Sequence, residues 1–222
     1  MNILIHPTYF PNIAHFVAIV KADKLTFEYD DNFLKQTYRN RTYIYAANGK
    51  LLLNIPVVHT QKSRQKYKDV KISQETNWQD HHWKSLLSAY STSPFFEYYK
   101  DELVYLFKTK TNYILDFNLN CFEAICDCLQ LDLDYSKTDE YQKIIEDAED
   151  FRYLVNAKSE EPKFEPYSQV FDDKHGFIDK TGKTLIDFVY DDAGSFSEGL
   201  VIVEKDGKAF YINKKGERVE KV

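Results

Sequence analysis

No stretch of the 222-residue sequence approaches the roughly 20 consecutive apolar residues that a membrane span needs. A basic segment followed by a long apolar run is missing from the amino terminus, where Pro7 and Pro11 interrupt the apolar character, so a cytoplasmic location is expected. Cysteine is scarce. Cys121, Cys126 and Cys128 crowd onto one predicted helix, an odd number that excludes a disulfide framework, and they lack zinc spacing, which leaves packed, reduced thiols. Basic charge is also in deficit, and a net charge of -6 argues against a general nucleic-acid binder while leaving room for a local basic site. No metal-binding or cofactor motif is visible. Glycine is nearly absent from the first three quarters of the chain, since every one except Gly49 lies at or after Gly176.

Aromatic residues, by contrast, are plentiful and consist mostly of Tyr and Phe, as expected for core packing and edge tyrosines. The chain opens with a strand-length apolar run, Asn2-Ile3-Leu4-Ile5, broken by a polar loop with two prolines. Ile13, Phe16, Val17 and Val20 then recur at helical spacing, with Pro11 suited to a first helical turn, and Leu25-Thr26-Phe27-Glu28 reads as a second strand. This is a βαβ unit. Ligands of such units sit at the loop leaving the first strand, which here holds His6, Tyr9 and Phe10.

A basic cluster follows, Lys35-Gln36-Thr37-Tyr38-Arg39-Asn40-Arg41. If it is extended, Arg39 and Arg41 project to one face and can grip a phosphate or carboxylate, with Lys35 and Asn40 beside them. The alternative is a solvated strand end with Arg39 or Arg41 paired to Glu28 or Asp31. Asn48-Gly49 marks a hairpin returning through Leu51 to Val58, and His59 to Lys68 reads as a polar loop. On the helix opening at Trp78, the spacing places Trp83, Leu86, Leu87 and Tyr90 on the core face and His82 with Ser85 on a neighbouring one. His82 is a second candidate general base; Ser85 as its nucleophilic partner is a weak signal without an acidic orienter. Ser93-Pro94 restarts a helix, and Leu115 through Leu129 mark another. Tyr141, Ile144, Ile145 and Ala148 suggest a surface helix within Asp132 to Asp150, and Glu160 to Pro166 reads as a linker. Beyond it, Phe177-Ile178-Asp179-Lys180-Thr181-Gly182-Lys183 is echoed by Tyr211-Ile212-Asn213-Lys214-Lys215-Gly216-Glu217, and Asp206-Gly207 marks a hairpin. The tail is a small β-meander that should dock on the first domain or on another chain.

Several of these pieces together resemble the WbqC-like family of bacterial surface-polysaccharide gene clusters: His6 to Pro11, Lys35 to Arg41, Ile55-Pro56-Val57, Trp78 with His82-Trp83, Ala89-Tyr90 with Ser93 to Phe96, Asp116-Phe117-Asn118 and Tyr167 to Phe171. The resemblance implies transfer of a glycyl or similar acyl group to an amino sugar in O-antigen synthesis. The tail resembles a WG-type repeat, departing from it at Ala209-Phe210, where the tryptophan-glycine pair would stand. The fold expected is therefore α/β, a mixed N-terminal sheet with a βαβ start and flanking helices over 1-170, plus a β-meander over 171-222. The function expected is a transferase acting on a nucleotide-linked amino sugar, with His6 or His82 as base, Lys35, Arg39, Asn40 and Arg41 as anion holders, and Tyr9 and Phe10 shaping the pocket. The competing expectation is a non-catalytic nucleotide-sugar-binding or assembly module whose β tail recruits a protein partner.

Overall fold

Alternation along Asn2–Ile5 (β1) turns Ile3 and Ile5 into the core beside Leu25 and Phe27 of β2 (Lys24–Phe27), with which β1 pairs in parallel. The computed structural model describes residues 1–47, 49–58, 64–93, 95–157, 175–178, 184–197, 199–205 and 207–219. Between the two strands runs α1 (Ile13–Val20), whose N-cap is Asn12: its side-chain oxygen accepts the His15 N–H at 3.2 Å. Pro11 therefore sits just ahead of the cap, not inside the helix.

Two short strands complete the sheet. β5 (Tyr135–Lys137) pairs with β2 and β6 (Glu149–Asp150) pairs with β1, both in parallel, giving the order β5-β2-β1-β6. Strands are added outward from β1 through β2 to β5, then the order reverses and β6 lands on the other side of β1. This region corrects the surface helix expected over Asp132 to Asp150. Strands of two and three residues are too short to show a period, and Ile144, which simulated a helix face, is 77% exposed.

Between β2 and β5 the chain inserts a hairpin and three helices. β3 (Arg41–Ala46) and β4 (Gly49–Asn54) pair antiparallel from Arg41 opposite Asn54 to Ala46 opposite Gly49, and Gly49 takes the positive φ of +95° that the tight turn requires. Asn48 lies outside the described residues, as do 59–63 of the expected polar loop; Tyr67–Asp69 at its end form a 3-10 turn with Tyr67 buried. α2 (Trp78–Tyr90) buries Trp78, Gln79, His82 and Leu86, so its core face is rotated toward His82 from the one expected. α3 (Phe96–Lys108) begins after Ser93, whose carbonyl accepts the Phe96 N–H; Pro94 lies outside the described residues. α4 (Ile114–Leu129) is the central helix of the core: Phe122 stacks edge-on against Phe27 at 5.1 Å and lies 6.2 Å from Phe16 of α1. Cys121 and Cys126 are buried free thiols on α4, and burial pushes the Cys126 thiol up to about 11. Among the described residues no helix is long and apolar enough to cross a membrane.

Contacts divide the chain into two compact units, Met1–Pro162 and Lys163–Val222. The second holds β7 (His175–Ile178) paired antiparallel with β8 (Thr184–Tyr190), and a sheet ordered β12-β11-β10-β9 from β9 (Asp192–Ala193), β10 (Leu200–Lys205), β11 (Lys208–Asn213) and β12 (Arg218–Val219). Ile186, Tyr190, Val201, Val203 and Ile212 form its own buried cluster. The expected boundary near 170, the Glu160 to Pro166 linker, Asp206 and the Thr181-Gly182 turn fall outside the described residues. The fold is α/β: a parallel sheet with flanking helices, followed by antiparallel strands.

Candidate functional site

A cleft of about 670 Å³ opens at the carboxyl ends of the parallel strands, where the strand order reverses between β1 and β6. His6 is the first residue past β1, Asp31 follows β2 by four residues, and Asp150 closes β6 with Arg152 just beyond. Open parallel sheets bind ligands at such a reversal because neighbouring loops diverge there and leave a crevice.

The deepest part of the cleft is an ionic constellation. Asp31 Oδ2 lies 3.1 Å from His6 Nε2 and accepts from Arg39 Nη1 at 3.3 Å. Partial burial would raise the Asp31 carboxyl, but the His6 hydrogen bond and the Arg39 charge outweigh it and hold the group below its ordinary value. An ionised carboxylate only accepts, so His6 Nε2 carries the proton and Nδ1 keeps the lone pair. Burial lowers the His6 pKa despite the Asp31 bond, which keeps the imidazole neutral near pH 7. Nδ1 is buried without a hydrogen-bond partner. So is Arg39 Nη2, on a side chain that is fully buried, with its guanidinium 5.3 Å from the Tyr67 ring centroid and 5.6 Å from that of Phe33.

A polar relay fixes the two chain segments that carry these groups. Tyr67 donates to the Pro7 carbonyl at 2.7 Å and accepts from Asn118 Nδ2 at 2.6 Å; the same Asn118 nitrogen donates to the Arg39 carbonyl at 2.7 Å. The Tyr9 N–H adds a bond to the Tyr38 carbonyl at 2.8 Å. The rest of the cleft is electropositive. Four cations, Lys35, Arg39, Lys143 and Arg152, line it against two carboxylates, Asp31 and Asp150, and neither Lys35 nor Lys143 makes an ion pair among the described residues. Among those residues no group of three or more His, Cys, Asp and Glu is placed to hold a metal ion.

The structure separates the residues singled out from the sequence. His6, Lys35 and Arg39 line the cleft. The Lys35 to Asn40 segment is a series of turns, with Gln36 at φ +63°, not an extended strand, so Arg39 and Arg41 do not share a face; Arg41 opens β3 outside the cleft. Arg39 instead takes the Asp31 partner weighed as the alternative, though buried and not solvated. Asn40 bonds Asn54 Oδ1 at 3.1 Å and supports the hairpin. Tyr9 is fully buried and meets His82 Nδ1 at 2.9 Å, and Phe10 packs on Tyr9 and Phe107, so these three build core beneath the loop. Burial drops His82 to about 4, and Ser85 bonds the His81 carbonyl, not His82. Tyr141, Lys143, Asp150 and Arg152 also line the cleft, brought in by strands whose brevity hid them from the sequence.

Fold and cleft thus define an α/β protein with a cation-lined cleft at the carboxyl edge of its parallel sheet. A family model for the WbqC-like protein family matches residues 6–161, and the chain belongs to that family. A model for the WG containing repeat matches residues 176–208. The chain is 27% identical over 141 residues to the uncharacterized protein Rv1507c of Mycobacterium tuberculosis (strain ATCC 25618 / H37Rv), a match covering 63% of this chain and 60% of that protein. No solved structure matches.

Proposed function

We propose that the protein is an acyl or aminoacyl transferase that modifies the amine of a nucleotide-linked amino sugar in bacterial surface-polysaccharide synthesis. The observation that carries this reading is the His6–Asp31–Arg39 constellation, a neutral imidazole with a free lone pair beside an unsatisfied guanidinium nitrogen in an electropositive cleft. In the reaction the sugar amine attacks the carbonyl carbon of an activated acyl donor. Once acceptor binding uncovers it, His6 Nδ1 takes the amine proton as the C–N bond forms, Asp31 stabilises the resulting imidazolium, and the proton passes to the leaving group. Lys35 and Lys143 hold the anionic part of the acceptor, with the buried Arg39 charge behind them.

The test is mass spectrometry after incubation with amino-sugar nucleotides and acyl donors, with thermal shift reporting binding. The wild type is expected to yield an acylated sugar, and His6→Gln to bind the acceptor while losing transfer by about 100-fold or more. Unchanged transfer by His6→Gln removes His6 as the base. A second reading, a non-catalytic nucleotide-sugar-binding module that recruits a protein through its C-terminal strands, draws on the WG containing repeat. Any acylated sugar rules out its passive form.

A further inference from the structure

One wall of the cleft comes from the segment between β5 and β6. This strap is tied down at several points. The Thr138 N–H reaches the Phe27 carbonyl at 3.0 Å, and its hydroxyl donates to Glu28 Oε1 at 2.8 Å. Arg152 Nη1 and Nη2 donate to the carbonyls of Gln142 at 2.8 Å and Lys143 at 3.4 Å. Arg152 is itself locked by Asp150 at 2.9 and 2.6 Å and by Glu28 at 3.1 Å, and its guanidinium lies 5.0 Å from the Tyr141 ring centroid. Tyr141 is therefore a seated ring on an anchored backbone, yet it remains 43% exposed and lines the cleft next to Lys143. A fixed aromatic surface that stays wet offers a planar ligand ring a stacking partner already ordered before binding.

We propose that Tyr141 is the platform for the base of a nucleotide whose phosphate meets Lys143 and Lys35. The inference rests on the proposed function, which takes a nucleotide-linked acceptor into this anion site, and adds the residue that receives its base. The cavity far exceeds a bare phosphate and lies within the roughly 300–1,000 Å³ typical of small-molecule pockets. It sits at the strand-order reversal, where open parallel sheets take mononucleotides. A saturated sugar phosphate would use the cations but brings no π face to the ring.

Calorimetry on the 222-residue chain separates the parts, with pyrophosphate, ribose 5-phosphate and the four common nucleoside monophosphates as probes. At least one nucleoside monophosphate is expected to bind about ten-fold or more tightly than ribose 5-phosphate. Tyr141→Ala and Tyr141→Leu should erase that difference, Tyr141→Phe should keep it, and none of the three should change pyrophosphate binding. Lys143→Ala should weaken every probe. If nucleotides bind no better than ribose 5-phosphate, or if both non-aromatic variants bind nucleotides like the wild type, the platform is wrong while the anion site stands. If no probe binds, pyrophosphate included, the anion reading falls and this inference with it.

Discussion

Three buried histidines, His6, His15 and His82, are held neutral by burial, which drops His15 to about 3 and His82 to about 4. The unfolded chain binds protons to these imidazoles near pH 6.5 while the native state does not, so unfolding takes up protons and stability rises with pH. Stability is accordingly complete above about pH 6.5 and is lost as pH falls, through about 4 for His82 and about 3 for His15, by about 1.4 kcal/mol per pH unit for each group. Asp31 and Asp150, both held below the ordinary carboxylate value, stay charged across the upper part of that window and do not supply the slope. Urea denaturation between pH 7.5 and 4.5 should show the decline, and His82→Asn should lessen its slope by about 1.4 kcal/mol per pH unit whatever its own cost in stability. A flat profile from pH 6.5 to 4.5 sinks the assignment. At this scale the sequence pointed to His6 through its place in a βαβ loop and to Lys35 and Arg39 through a basic cluster ahead of the next strand. It could not tell that Tyr9 and His82 pack on each other beneath that loop, because which side of a turn a side chain takes is set by tertiary contacts such as the Tyr67–Asn118 relay.

Among the elements, β6 and the strap before it link the sheet to the cleft, and their hold is the Arg152 network. Glu28 is fully buried, and its second oxygen depends on Arg152 Nη1 at 3.1 Å. Arg152→Ala strands that carboxylate, leaves the Gln142 and Lys143 carbonyls without their donor, and is expected to cost about 3–5 kcal/mol. Removing both charges, as in Glu28→Gln with Arg152→Met, should cost less than the sum of the two single changes, because neither partner is then left charged and alone. A denaturation cycle that comes out additive would show that the pair is not coupled. The same network explains why β1, α1, β2 and the β3–β4 hairpin were legible in the sequence and β5 and β6 were not. The former announce themselves through alternation, helical spacing or a turn dipeptide. The latter are held in the sheet by two or three register positions and by side-chain bonds from residues over a hundred positions away, Thr26 with Ser136 and Glu28 with Arg152.

For the whole molecule, glycine becomes frequent from Gly176, the family model ends at 161 with the repeat model beginning at 176, and contacts divide after Pro162. Each unit also has its own buried cluster, one running from Ile3 to Leu154 and one from Ile186 to Ile212. Among the described residues, every one that lines the cleft lies between His6 and Asn156. A chain ended after Pro162 should therefore keep its helical circular dichroism and bind pyrophosphate within about two-fold of the 222-residue chain, since the charges that the described residues bring to the cleft are retained. In the full chain, Ile212→Ala removes a fully buried side chain from the second cluster, at about 2–5 kcal/mol to that unit, and should likewise leave the pyrophosphate affinity unchanged. A shortened chain that stays folded but loses binding would assign the C-terminal strands a part in the site, and a shift in affinity with Ile212→Ala would locate that part in the packing of the second cluster.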